Sequence, residues 1–266
     1  KNLNFEFMYG DIKNLETCRK AMKDIDIVCH QAALGSVPRS INDPLSSHMT
    51  NVNGFVNILI AAKENGIKRV VYASSSSVYG DNPTLPKIEN NTGNVLSPYA
   101  ATKVIDEIYG HVFTLCYGME CIGMRYFNVF GPNQDPNGAY AAVIPKFIDL
   151  MKNNKSPVIN GDGTYSRDFT YIDNVVQANC LAMLTDDERC FGQAFNIGAG
   201  GRFTITELVE NLRNHLKFKG EIVFGSNRPG DIPHSNASIN KAIELLNYNP
   251  TIDFKTGLLL TVEYFT

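Results

Sequence analysis

The chain has 266 residues, enough for one large α/β domain or two small ones, and 44% of them are hydrophobic, the usual share for a globular protein. A net charge of −3 leaves no broad basic surface and argues against a nucleic-acid partner. No apolar run reaches the roughly 18 residues that cross a bilayer, so no membrane partner is expected. In chain order, Phe5–Tyr9 reads as a strand ending at Gly10-Asp11, and Asn14–Met22 as a helix. Ile25–His30 is a short apolar run suited to a buried parallel strand. Asn51–Asn65 has helical spacing and stops at Gly66, a good C-terminal cap. Arg69–Ala73 is the next strand, Tyr99–Tyr117 a long helix ending at Gly118, and Glu120–Phe127 a further strand. Strands alternating with helices predict an α/β fold with a doubly wound parallel sheet. From Gly131 the pattern changes: a Pro/Gly loop, a helix over Ala141–Lys152 and a turn within Ser156–Gly163. Phe203–Lys217 is an amphipathic helix opening on Thr204-Ile-Thr-Glu207; a strand over Glu221–Phe224, a loop and a last helical region follow.

Of the six cysteines, Cys18, Cys29, Cys116, Cys121, Cys180 and Cys190, none forms a CxxC pair. They read as buried free thiols of a cytoplasmic protein, an expectation that suits the absence of signal-peptide regions in Lys1–Gly10. Cys29-His30 is the only close Cys/His pair, and neighbours on a strand point to opposite faces, so no metal site is expected.

The chemistry concentrates in two segments. Tyr99 and Lys103, in Ser97-Pro-Tyr-Ala-Ala-Thr-Lys103, lie four apart and share a helix face. A phenol is a poor base at neutral pH, and a neighbouring ammonium favours its ionised form. Such a pair can take a proton from a sugar hydroxyl as hydride leaves the same carbon. Alone, the spacing also suits a surface helix. Ser74-Ser-Ser-Ser77, however, sits just past the carboxyl end of a predicted parallel strand, where ligands bind such sheets.

Together with Gly10-Asp11, Gln31-Ala-Ala33, Asn51, Val78-Tyr-Gly80, Arg125-Tyr-Phe-Asn-Val-Phe-Gly-Pro132 and Arg167-Asp-Phe-Thr-Tyr-Ile-Asp173, these residues resemble the extended short-chain dehydrogenase/reductases over almost the whole chain. Within that group, Gly35-Ser-Val-Pro-Arg-Ser40, Asn128–Gly138 and Asn160-Gly-Asp-Gly163 look most like bacterial UDP-N-acetylglucosamine 4-epimerases of surface-polysaccharide pathways. The resemblance implies NAD as cofactor, a UDP-sugar as substrate and a homodimer formed through the helices over 51–65 and 99–117. It implies Tyr99 as base, Lys103 as its partner on the nicotinamide ribose, and Ser75 and Ser76 beside the reacting oxygen. Asp11 and Ile12 would meet the adenine; Gln31, Ala32, Ala33, Asn51 and Tyr126 would line the cofactor. Gly35, Ser36 and Gln134 would face the sugar, Arg39 either the sugar or a loop that it braces, Asn128 the diphosphate or the sugar, Arg167 and Arg228 the diphosphate, and Asp231 the uridine ribose. Residues 1–130 with about 168–200 would form the NAD domain, and 131–167 with 201–266 the nucleotide-sugar domain.

Two departures shape the expectation. The family's GxxGxxG turn belongs before Lys1, so the chain reads as a fragment lacking the first βαβ unit, expected as such to bind NAD poorly. Dehydratase and decarboxylase relatives carry acidic residues after the catalytic Ser or Thr, where this chain has Ser76 and Ser77; C4 oxidation and return of the same hydride is then the simplest reaction. UDP-glucuronate 4-epimerases are the runner-up, and a non-catalytic binding protein the reading from another class. Ser235 stands where the family places a bulky Tyr when N-acetyl sugars are excluded.

Overall fold

The computed structural model describes residues 5–137, 141–226 and 232–266. Its elements are α1 (Leu15–Ala21), β1 (Ile27–His30), α2 (Val37–Asn42), α3 (Pro44–His48), α4 (Gly54–Glu64), β2 (Arg69–Ser75), α5 (Pro98–Tyr117), β3 (Glu120–Tyr126), β4 (Val129–Phe130) and α6 (Val143–Lys152). There follow β5 (Val158–Asn160), β6 (Ser166–Arg167), β7 (Thr170–Tyr171), α7 (Ile172–Leu184), β8 (Gln193–Ile197), β9 (Phe203–Thr204), α8 (Ile205–Leu216), β10 (Val223–Gly225), β11 (His234–Ser235), α9 (Asn240–Leu246) and α10 (Phe254–Phe265).

The main sheet has the order β1-β2-β3-β8, and every pairing in it is parallel. Alternation along the strands feeds two cores. Val70, Tyr72 and Cys121 face α1 and α4 with Phe55 and Leu59; Val71, Ile122 and Met124 face α7 and α9 with Val175, Ala178 and Leu246. The long helix α5 begins on the Ser97 side chain, which accepts from Ala100 N, with Pro98 in its first turn, and ends on left-handed Gly118. It lies close on the sheet because a Cβ at Gly110 would stand 2.5 Å from the Tyr72 hydroxyl. A third core gathers α6, α8 and α10 around Phe130, Phe147, Leu208 and Phe254, with Phe169 and Phe203 stacked on Phe254. The expected start of α8 is a full capping box: the Thr204 hydroxyl accepts from Glu207 N, and the Glu207 carboxylate accepts from Thr204 N.

Two expectations need correction. Residues 5–9 form no strand, because none of the described strands lies beside them to complete a ladder; Phe5, Phe7, Met8 and Tyr9 stand exposed instead. Of the cysteines, Cys18, Cys121 and Cys190 are buried, but Cys29, Cys116 and Cys180 are exposed. Local apolar character does not tell which side of an element carries a neighbour. All six thiols are free, and among the described residues no helix is long and apolar enough to cross a membrane. The helix over 172–184 and the strand over 193–197, unassigned from the sequence, supply one sheet face and its last strand.

Candidate active site

The carboxyl ends of β1, β2 and β3 point the same way, and the expected residues collect there. β2 runs directly into a short 3-10 turn, Ser76–Tyr79. Ser74 is buried and donates its hydroxyl to Glu107. Ser75 stays half-buried, its oxygen accepting from Ser77 N and from the Ser77 hydroxyl (3.0 Å). Tyr99 and Lys103 occupy the first turns of α5. The Tyr99 amide donates to Ser40 Oγ at 3.0 Å, so a side chain of α2 caps the helix that carries the phenol. Lys103 is buried; its Nζ donates to the Ala73 carbonyl at 2.9 Å and to Asp106 Oδ2 at 3.1 Å. An ammonium has three protons, and Lys103 has no third partner among the described residues.

Asn51, expected to line the cofactor, is held in place by its neighbours. It sits in a single π-helical turn over Met49–Asn53, buried. Its Oδ1 accepts from Leu34 N (2.8 Å), and its Nδ2 donates to Leu34 O and to Thr102 Oγ1 (3.0 Å). Thr102 in turn donates to the Tyr99 carbonyl at 2.7 Å. With its amide committed on both sides, Asn51 ties the loop before Gly35 to the helix of the base.

In that loop, Gly35 has open space around it, and Ser36 holds φ +102° while its hydroxyl accepts from Arg39 N to begin α2. A non-glycine residue at such φ stores about 1–3 kcal/mol and clusters at ligand sites. Tyr126 closes the cofactor side: its hydroxyl lies 3.0 Å from Gln31 Oε1 and 2.9 Å from Asn179 Oδ1, and burial pushes it up to about 12. Gln31 and Ala32 are exposed and Ala33 half-buried, so their backbone is open to a ligand. Asp11 is exposed, its carboxylate accepting from Lys13 N, which holds it below the usual range. Half-buried Ile12 packs against Gly54, while Asn57 donates to the carbonyls of Ile12 and Lys13. A dinucleotide fits this set: an open backbone run, an exposed carboxylate for ribose or adenine groups, and an ammonium proton near the strand ends.

A cleft of about 190 Å³ lies against the third core, lined by Asn128, Lys146, Phe147, Asn160, Tyr165 and Arg167 among others. Asn128 and Arg167 thus come together as expected, and Lys146 adds a cation that the sequence did not single out. Ser235 on β11 pairs in register with Arg167 on β6. Gln134 donates to the Val129 carbonyl, while its buried Oε1 has no hydrogen-bond partner among the described residues. The expectations for Arg228, Asp231 and Gly138 lie outside the described residues.

Beneath the site runs a buried polar network. Arg125 donates to both Glu107 oxygens (2.8 and 2.7 Å), to the Tyr79 hydroxyl (3.0 Å) and to the Glu89 carbonyl (2.9 Å); Tyr79 donates to Asn196 at 2.6 Å. Sequence reasoning missed Asp106, Glu107, Ser40 and Asn179. Asp106 and Glu107 carried a usable signal, since they follow Lys103 by three and four on one helix. Ser40 and Asn179 had none, because each meets its partner only across the fold.

A serine turn at the end of β2, the Tyr99 and Lys103 side chains on α5 and an exposed segment after β1 thus lie at the strand carboxyl ends of a parallel α/β protein. The model of the NAD dependent epimerase/dehydratase family matches residues 1–198, and the chain belongs to that family. The chain is 35% identical over 263 residues to a UDP-glucose 4-epimerase of Mycolicibacterium smegmatis, covering 98% of this chain and 83% of that one. Among solved structures, it is similar to a UDP-N-acetylglucosamine 4-epimerase of Methanobrevibacter ruminantium in complex with UDP-N-acetylmuramic acid, with TM-score 0.92, 40% identity and coverage of 97% and 82%. It is also similar to a UDP-glucuronic acid 4-epimerase of Bacillus cereus in complex with UDP-glucuronic acid and NAD, with TM-score 0.91, 31% identity and coverage of 99% and 82%.

Proposed function

We propose that this protein is a UDP-sugar 4-epimerase that interconverts UDP-N-acetylglucosamine and UDP-N-acetylgalactosamine. Bound NAD supplies a hydride acceptor, and then donor, at C4 of the sugar; the residues of the chain do the rest. Asp11, Ile12, Gln31, Ala32, Ala33, Lys103 and Tyr126 would hold the cofactor. Tyr99 takes the O4 proton as its phenolate, favoured by the Lys103 ammonium, and gives it back to the opposite epimer. Ser75 and Ser76 hold the O4 oxygen. Arg167 and Asn128 grip the diphosphate, with Arg228 and Asp231 assigned to the same nucleotide, so the keto sugar can turn while its handle stays fixed.

The observation that carries the choice of sugar is Ser235. It is half-buried opposite Arg167, and so small a side chain leaves room for an acetamido group. Incubating the full-length protein with UDP-N-acetylglucosamine and NAD, and following the sugar H1 and H4 protons by NMR, tests the reading. UDP-N-acetylgalactosamine forming without net NADH supports it. Turnover of UDP-glucuronate or UDP-glucose in its place reassigns the substrate, and silence on all three points to a binding protein. Ser235→Tyr is expected to suppress the acetylated substrate at least tenfold more than UDP-glucose, an added clash of roughly 1.4 kcal/mol or more. Equal loss on both substrates rejects the gate.

The assembly we favour is a homodimer through α5, whose exposed Ile108, Val112 and Leu115 recur at helical spacing. Light scattering on the full-length protein distinguishes dimer from monomer. Six free thiols suit a reducing compartment, the cytoplasm.

A further inference from the structure

We infer that Asp106 is a positioning residue for the Tyr99–Lys103 pair: its carboxylate seats the Lys103 ammonium between β2 and α5, and its charge sets how much of that ammonium's field reaches the site. The inference rests on the reading of Tyr99 as the base. Asp106 lies one turn after Lys103 on α5, with Oδ2 3.1 Å from Nζ, and their side chains are 2% and 3% exposed. The second anchor of Lys103 is the Ala73 carbonyl, adjacent to the serine run, so the two contacts fix the ammonium between β2 and α5. The other Asp106 oxygen, Oδ1, is buried with no hydrogen-bond partner among the described residues. A carboxylate half of whose acceptors go unpaired is costly to bury charged. Burial accordingly outweighs the Lys103 ammonium, and the nearby Glu107 charge adds to it, pushing Asp106 up to about 7.

The charged and titratable groups around the pair leave this role to Asp106. On α5 itself, Glu107 is committed to Arg125 of β3 and to Ser74. Tyr72 of β2 senses Asp106, Glu107, Arg125 and the Cys121 thiol of β3, and its burial raises it far out of the working range. His30 of β1 is buried and lowered to about 3, so it stays neutral. Asp106 is then the carboxylate bonded to Lys103 that can change charge near neutral pH. Ionised, it seats the ammonium but cancels much of its field; neutral, it leaves the positive charge uncompensated.

The test is the pH dependence of kcat in full-length protein carrying NAD, with whichever of UDP-N-acetylglucosamine, UDP-glucose or UDP-glucuronate is turned over. Asp106→Asn and Asp106→Ala are measured beside Tyr99→Phe. Both Asp106 variants lack the group that changes charge near pH 7, so the inflection that Asp106 places near pH 7 in the wild-type kcat profile is expected to be absent from both. Asparagine still offers Lys103 an acceptor and keeps the plateau rate within about threefold, whereas alanine loses the seat and about tenfold in kcat with little change in KM. A wild-type inflection near pH 7 that persists in either variant, or a wild-type profile without one, overturns the inference. If Tyr99→Phe is inactive while the Asp106 profiles keep that inflection, the role of Asp106 alone is rejected. If Tyr99→Phe retains normal turnover, the base assignment falls and the inference falls with it.

Discussion

Replacing Glu107 by Gln is expected to cost about 3–5 kcal/mol of stability, the loss found when one member of a buried ion pair is removed. The size follows from what Glu107 holds. It accepts two bonds from Arg125 and one from Ser74, and the Arg125 and Glu107 side chains are only 7% and 14% exposed. A glutamine oxygen in the place of Oε1 can keep the bonds from Ser74 and Arg125 Nε, but its NH2 group loses the third and no charge remains, and the Arg125 guanidinium cannot reach water to recover it. For a chain of this size, about 2–4 °C of melting temperature accompanies each kcal/mol, so the variant should melt about 6–20 °C lower. Urea denaturation of Glu107→Gln, Arg125→Met and the double variant forms the assay. The double variant should be much less destabilised than the sum of the singles, because it leaves no lone charge. Arg19→Gln is the control: Arg19 pairs with Glu64 and Glu16 at the surface, and its loss should cost at most about 1 kcal/mol. A Glu107→Gln loss no larger than that control, or strict additivity in the cycle, would refute the argument.

Ser36→Gly should leave stability equal or raise it by about 1 kcal/mol, since glycine accepts φ +102° freely while the lost cap to Arg39 N costs a few tenths; a loss above 1 kcal/mol in thermal denaturation would show that the backbone there is relaxed. Asp168 is fully buried, accepting from the amides of Ala199, Gly200 and Ala237, and burial raises it from 3.8 to about 6. Its folded form therefore holds its proton more tightly than the unfolded chain does, so its contribution to stability is complete below about pH 4 and is lost as pH rises through 6. Urea titrations at pH 4 and pH 7 should show wild type losing more stability over that interval than Asp168→Asn; the opposite ordering would mean that the three amides outweigh burial.

The Tyr99–Lys103 spacing, the serine run at the end of β2, the helix ends at Thr204 and Gly118 and the βα alternation were all legible along the chain. They depend on contacts within about one helical turn or on the period of a strand, and that information is local. The strand expected over 5–9 failed for the complementary reason: a strand pattern is local, but its ladder is supplied by another segment. The same limit hid the exposure of Cys29, Cys116 and Cys180 and the bonds of the Asn51 amide to Leu34 and Thr102. By itself, then, the sequence determined the parallel α/β class and brought the Ser/Tyr/Lys set to notice, because hydrophobic period and motif spacing act over a few residues. Only the tertiary structure decided that Asp106 seats Lys103, that Glu107 neutralises Arg125 under the serines and that Ser40 caps the helix of the base, because desolvation and partner geometry are set by segments distant in sequence.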